Sequence, residues 1–399
     1  MQHISDNERR SRLARRHALA PAHRAADPEA ATRAVTALHS TEPATVYLTV
    51  WARVDGVTVA DVDRAMYDDR SLVKQLAMRR TLFVFPRDLL PAVWGSASAR
   101  VADQLAARLA KEVEAAGHAA DGAVWLEEAR AAVVELLAGG KALTAQEVRK
   151  GVPALEARLD LAPGKKYAAN VSIAPRVLTQ LGAEGTVVRG ENAGHWRLSK
   201  PRWTLMSDWL GDVPPSAKAD EGYAELVGRW LRSFGPGTEE DIVWWLGATK
   251  GVVRGALASL GAVEVSLDGG RTGWVTPDDP ALDTDPAEEI EPWAALLPVL
   301  DPTVMGWKER DFYLGAHGPQ LFDSNGNAGT TAWWDGRIVG CWVQDEDGLV
   351  EVRLLERVPA RAKKALAAEA GRLTAWLDGV RVGTVYSSAA MKVVDWIHP

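Results

Sequence analysis

The feature that most constrains this chain is an internal repeat. Leu178-x-x-Leu181-Gly182-Ala183 recurs 79 residues later as Leu257-x-x-Leu260-Gly261-Ala262, and a tryptophan follows each copy, Trp196 and Trp274. Self-similarity of this kind marks a chain built from copies of one supersecondary unit. Upstream of each copy stands a capping-box start, Thr144-x-x-Glu147 and Thr238-x-x-Asp241, in which hydroxyl and acid satisfy orphan amides of a first helical turn. Thr58-x-x-Asp61-Val62 is a third such start, followed by Val73-x-x-Leu76 and the run Leu82-Phe-Val-Phe. Each unit reads as a capped helix, a turn, a second helix closing on a Leu-x-x-Leu pair, and a two-stranded ribbon. The ribbon tips are polar or glycine-rich, Gly190-Glu-Asn-Ala-Gly-His195 and Asp268-Gly-Gly-Arg-Thr-Gly273.

Helix-turn-helix plus ribbon is the winged-helix pattern, which places its second helix in a DNA groove and its ribbon against phosphates. An all-helical scaffold with incidental hairpins fits the same spacing. The net charge of -7, taken alone, argues against a nucleic-acid partner. Its distribution reverses that argument. Seven acids (Asp278, Asp279, Asp283, Asp285, Glu288, Glu289 and Glu291) fall in one proline-containing stretch free of Lys and Arg. This stretch reads as a linker and equals the whole net charge. Elsewhere cations collect where such units would meet phosphate. Met78-Arg79-Arg80-Thr81 is expected to end the first unit's second helix. In the second unit Lys165, Lys166, Tyr167, Asn170 and Ser172 lead into the second helix, Arg176 lies one turn inside, and His195 and Arg197 sit on the ribbon; the third contributes Arg271 beside Lys250 and Arg254. Lys and Arg neutralise phosphates, while Ser, Asn and helix N-terminal amides fix register.

Several chemistries are missing from the sequence. It carries no His-Glu-x-x-His, no phosphate loop, no Gly-x-Gly-x-x-Gly after a strand and no Gly-x-Ser-x-Gly elbow, so neither metal nor cofactor is expected. A single cysteine, Cys341, rules out an intrachain disulfide and fits a reducing, cytoplasmic setting. No run of eighteen apolar residues suggests a membrane span. One segment stands apart from the basic faces. After a helix expected over Pro28 to Leu38 comes His39-Ser40-Thr41-Glu42-Pro43. In extended backbone His39 and Thr41 point to one side, where imidazole and hydroxyl can hold and polarise a water. The same two residues also read as caps of successive helices. Fourteen of the seventeen tryptophans lie from Trp196 onward, so packing in that half is expected to run through indole. After the linker, short apolar runs between Asn, Asp and Gly turns predict strands, then a helix from about Ala360 to Trp376 and a last strand near Val380 to Tyr386.

Five motifs in order complete the picture: Ala37-Leu-His-Ser-Thr-Glu-Pro-Ala44; Asp69-Arg-Ser-Leu-Val73 with Met78-Arg-Arg-Thr-Leu82; Tyr167-Ala-Ala-Asn-Val-Ser-Ile-Ala-Pro-Arg176; Leu296-Leu-Pro-x-x-Asp-Pro302; and Asn327-Ala-Gly-Thr330 with Trp334-Asp-Gly-Arg-Ile-Val-Gly340. Together they resemble the winged-helix DNA glycosylases of the AlkZ and YcaQ type, over nearly the whole chain. The resemblance implies an α+β fold of three tandem winged helices and a small C-terminal β-barrel-like domain, forming a C-shaped clamp on double-stranded DNA. The expected divisions are 1–100, 101–215, 216–277, an acidic linker at 278–292, and 293–399. The implied activity is cofactor-free cleavage of the N-glycosidic bond of N7- or N3-alkylated purines, bulky adducts and interstrand crosslinks included, by a cytoplasmic, monomeric repair enzyme. A catalytically silent DNA binder, a damage sensor or regulator, is the rival. His39-Ser40-Thr41 occupies the place of the family's Gln-x-Gln or Gln-x-Asp motif, which carries the catalytic role to His39 and Thr41, with Glu42 able to orient His39.

Overall fold

The computed structural model describes residues 1–161, 169–282 and 290–392. One element order occurs three times in it: helix, short extended segment, two helices, hairpin. The first copy runs through helix Pro28–Ala34, strand Leu38–His39, helices Pro43–Trp51 and Val59–Asp63, and hairpin Leu72–Leu76/Leu82–Pro86. The second has helices Gly122–Leu137, Ala145–Gly151 and Ala174–Glu184 and hairpin Val187–Asn192/Pro201–Leu205; the third has helices Ala219–Phe234, Glu239–Leu246 and Lys250–Leu260 and hairpin Val263–Leu267/Arg271–Val275. In every copy the extended segment pairs antiparallel with the hairpin's second strand. His39 faces Phe83, Leu143 exchanges bonds of 2.9 and 2.6 Å with Trp203, and Gly237 exchanges bonds of 3.2 and 2.8 Å with Trp274. All three capping boxes form as the spacing predicts.

The details differ from the sequence pattern in instructive ways. The third copy's last helix, Lys250–Leu260, ends on Gly261 (φ 62°), but the second copy's, Ala174–Glu184, runs on to Gly185 (φ 81°). Gly182 lies inside that helix, where an added Cβ would come within 3.3 Å of the Trp203 ring. The ribbon tryptophan equivalent to Trp274 is therefore Trp203. Trp196 sits on the long loop at the second hairpin's tip, which the residue count from the glycine could not anticipate. Val73-x-x-Leu76 belongs to a strand rather than a helix, because the strand is buried on both faces and so loses period-2 alternation. Its Gln75 is buried and donates to the Gly182 and Ala183 carbonyls, 2.8 and 3.2 Å, while accepting from the Trp94 indole. Asn170 and Ser172 likewise lie on a strand, Ala169–Ser172, paired with Arg158–Leu161; the helix begins only at Ala174, where Pro175 suits the first turn.

The C-terminal region is a four-stranded antiparallel meander of Ala294–Leu297, Thr331–Trp334, Arg337–Gln344 and Val350–Leu354, packed against helix Ala360–Leu377. Its two outer strands do not meet, so the expected barrel is an open sheet with one helix laid across it. The strand expected near Val380 to Tyr386 does not form. Gln344 takes its place as partner, donating to the Val380 carbonyl (3.0 Å) and accepting from the Val382 amide (2.9 Å).

One core joins the first and third copies to the C-terminal sheet, with Trp51, Phe85, Trp230, Phe234 and Trp333 deep inside. The second copy keeps its own core around Val133, Leu137, Val177 and Leu178. A fully buried bidentate pair, Arg53 with Asp301 at 2.8 and 2.9 Å, ties the first copy to the C-terminal region. Asp301 also caps helix Pro302–Met305. Breaking a buried pair of this kind leaves an uncompensated charge and costs about 3–5 kcal/mol. Of the acidic stretch, Asp279 is no solvated linker residue: it is buried and held by Arg12 and Arg16. Asp283, Asp285, Glu288 and Glu289 lie outside the described residues. No described helix is long and apolar enough to cross a membrane.

Candidate nucleic-acid interface

His39 closes the first copy's three-stranded sheet. Pairing with Phe83 turns its ring inward, edge-on to the Phe83 ring at 5.3 Å between centroids, and leaves it 6% exposed. Nδ1 is buried without a hydrogen-bond partner. Burial, and after it the charge of Arg79, push this imidazole down to about 3, so the ring is neutral at physiological pH. A second buried histidine shows what a settled ring looks like. His17, also pushed down to about 3, has Nδ1 2.8 Å from the Thr303 hydroxyl and Nε2 3.1 Å from the Ser233 carbonyl. His39 retains hydrogen-bonding capacity that the fold does not consume. Thr41 is exposed, and no hydrogen bond joins it to His39. Helix Pro43–Trp51 has no side-chain cap, so Thr41 does not act as one. Glu42 is turned away from His39, accepting from the Thr384 hydroxyl (3.2 Å) and the Val385 amide (3.0 Å).

Arg79 and Arg80 form the tip of the first hairpin, not the end of a helix. Both lie in the left-handed region, φ 54° and 58°, and Thr81 donates back to the Met78 carbonyl at 3.0 Å. Ala77 donates to the Thr81 carbonyl at 3.0 Å and closes a loop of three residues, Met78 to Arg80, whose two left-handed positions ordinarily take Gly or Asn. Neither arginine has a carboxylate partner among the described residues. Burial, then the charge of Arg310, push Arg79 down to about 10; it stays cationic.

The other expected contacts divide by what holds them. Arg176 is paired with Glu112, and Arg271 reaches Glu309 at 3.2 Å. Lys250 is paired with Glu240, and Arg254 with Glu239 at 2.7 Å. Asn170 is engaged by Arg158 and donates to Asp160, while the Ser172 hydroxyl is buried without a partner. His195 and Arg197 are exposed on a loop whose shape is set by Asn192, which bonds the Gly194, His195 and Leu198 carbonyls and the Lys200 amide. Lys165, Lys166 and Tyr167 lie outside the described residues.

Sequence reasoning missed a cleft beside Ser40, lined by Tyr47, Tyr67, Lys74, Arg189 and Trp196. Lys74 donates to the Tyr67 hydroxyl at 2.7 Å, and Tyr47 to Asp63 at 2.5 Å. Burial, with Arg189 nearby, pushes Lys74 down to about 8, and burial pushes both phenols up. Trp196 spans from Tyr47 to Trp376, 5.2 and 5.6 Å between ring centroids, and so docks the second hairpin's loop on the first copy and the C-terminal helix. These groups come from four separate elements, and no local spacing marks them.

No curated protein sequence matches this chain significantly. Among solved structures it resembles the DNA glycosylase AlkZ of Streptomyces sahachiroi, with a TM-score of 0.73 and 20% identity over 94% of this chain and 98% of that one. At that identity the likeness speaks for the fold. The model of the DNA glycosylase AlkZ-like family matches residues 32–376, a span that takes in the His39 strand, all three hairpins and the C-terminal sheet, and on that match the chain belongs to the AlkZ-like DNA glycosylase family.

Proposed function

We propose that this protein is a monofunctional DNA glycosylase for N7- or N3-alkylated purines, bulky or crosslinked ones included, built on three tandem winged helices that clamp duplex DNA as a monomer. The observation that carries the reading is His39: a buried, neutral imidazole with unspent hydrogen-bonding capacity, one strand from a hairpin tip whose two arginines have no acidic partner among the described residues. An N7-alkylated purine is already cationic and leaves without protonation. The enzyme's task is then to stabilise an oxocarbenium-like sugar and present a water. His39, held neutral, accepts a hydrogen bond from that water and orients it. Thr41, on the solvent side, holds the water in place. Arg79 and Arg80 grip the strand beside the lesion, and the second copy, through Lys165, Lys166, Tyr167, Asn170, Ser172, His195 and Arg197, holds flanking duplex; Arg176, and Arg271 at the third hairpin, reach phosphate only by giving up Glu112 and Glu309. A bulky or crosslinked base cannot turn into a closed pocket, and a site at a sheet edge suits it better.

The test is a duplex carrying 7-methylguanine or a nitrogen-mustard crosslink, incubated with protein and then cleaved in alkali. Scission at the lesion is expected, with the rate lowered about 100-fold in His39→Ala, the usual scale for a misplaced reactant. Duplex binding with no scission above the spontaneous rate makes the protein a silent binder. Equal rates for His39→Ala and wild type overturn the residue assignment alone.

A further inference from the structure

Two arginines from distant parts of the chain converge on one indole. The Arg79 guanidinium lies 4.1 Å over the Trp244 ring, and that of Arg310 lies 5.1 Å from the same ring and 4.6 Å from Phe322. Arg79 belongs to the first hairpin, Trp244 to helix Glu239–Leu246 of the third copy, and Arg310 to the loop that enters helix Asp311–Leu314. The junction is tight: Gly247, left-handed at φ 60°, leaves only 3.0 Å between a would-be Cβ and the Arg79 side chain. The C-terminal end of helix Glu239–Leu246 and the indole face together favour cations here without any carboxylate. Neither guanidinium has an acidic partner among the described residues. Arg79 Nε and Arg310 Nη1 are buried with no acceptor at all. Two like charges are thus held against one indole with donors unspent. Elsewhere on the molecule the fold neutralises such groups, as Glu309 does Arg271 and Glu112 does Arg176. An anion is the missing complement.

We propose that Arg79 and Arg310, laid against Trp244, form one binding cleft for a backbone phosphate of duplex DNA, which makes Arg310 a DNA-contacting residue supplied by the C-terminal region. The cleft rests on the reading of the chain as a duplex-binding glycosylase. It deepens that reading by giving the C-terminal region a contact of its own, next to the strand that carries His39. Arginine suits the role because its planar fork meets phosphate oxygens two at a time and stacks on aromatics.

The experiment is a salt titration of duplex affinity for wild type, Arg310→Gln and Arg310→Lys. Each phosphate contact contributes about 0.9 to the slope of log affinity against log salt. Arg310→Gln is expected to lose about that much, with Arg310→Lys keeping the wild-type slope. A wild-type slope in Arg310→Gln overturns the cleft and leaves the functional reading standing; a wild type that shows no salt-dependent duplex binding overturns both. A second measurement needs no variant: arginine modification by p-hydroxyphenylglyoxal, mapped by mass spectrometry with and without duplex. Protection of Arg79 and Arg310 by DNA is expected, and equal labelling of Arg310 in both conditions overturns the proposal.

Discussion

The first and third hairpins share a topology and a turn but not a character. Arg79 and Arg80 hold φ 54° and 58° at the first tip; Gly269 and Gly270 hold 74° and 72° at the third. The backbone requirement is the same at both, two successive left-handed residues. The third tip meets it with glycine at no steric cost. The first meets it with two arginines, at about 1–2 kcal/mol each. The cations differ in the same direction. Around the third unit Lys250, Arg254 and Arg271 are all matched to acids, whereas Arg79, Arg80 and Arg310 face none among the described residues. A fold optimised only for stability would put glycine at both tips. Strain and unpaired charge retained together at one of two equivalent turns are what the proposed DNA contact at Arg79 and Arg80 rests on.

The sharpest way to break this comparison is to make the tips alike. Arg79→Gly with Arg80→Gly is expected to flatten the salt slope of duplex binding by about 1.8, two phosphates' worth. Its melting temperature should not fall below wild type, since relief of turn strain offsets the lost Arg79 contact with Trp244, worth about 0.5–2 kcal/mol. Salt titration and calorimetry read the two effects separately. An unchanged slope would mean that the strained tip serves packing alone.

Acid provides the next test, because the site's imidazole sits beside that tip. His17 and His39 are neutral in the fold, both pushed from 6.5 down to about 3. The unfolded chain therefore binds more protons between these values. Stability is full above pH 6.5 and is lost as pH falls toward 3. Each ring contributes up to about 1.4 kcal/mol per pH unit within that window. His39→Phe is expected to shed one proton's worth of this slope in urea unfolding between pH 6.5 and 4.5, and His17→Phe another. A variant with the wild-type slope would place that imidazole in contact with solvent.

How much of this was legible in the sequence follows the range of the interactions. The capping boxes at Thr58, Thr144 and Thr238 are contacts over three residues, and each forms as read. Helix Ala360–Leu377 carries its own periodicity and extends one residue past its expected end. The first hairpin was not legible as a hairpin. Its turn lacks Gly and Asn, and its first strand is buried on both faces with Lys74 and Gln75 set between apolar residues, so Val73-x-x-Leu76 imitates a helix. The open sheet in place of a barrel depends on a helix covering one face, a tertiary fact. Nor does a run of cations disclose which of its members are spent: Glu112 lies 64 residues from Arg176, and Glu309 lies 38 from Arg271. His39 stood out in the sequence as a polar residue at a break between helices, but its burial comes from pairing with Phe83.

The smallest expected effect is the most discriminating for the third unit. Lys250 and Arg254 occupy the start of the helix that a winged helix would present to a groove, and sequence alone counts them as phosphate contacts. The structure gives each an acid from the preceding helix: Glu240 takes Lys250, and Glu239 takes Arg254 through two bonds of 2.7 and 3.1 Å. A cation already matched releases no counterion when DNA arrives, because its charge is compensated before and after. Lys250→Ala and Arg254→Ala are therefore expected to leave the salt slope at its wild-type value. Glu239→Gln with Glu240→Gln should steepen it by unmasking both cations. If the alanine variants instead flatten the slope, the acids give way to phosphate on binding, and the third unit grips DNA in the way we propose for the first.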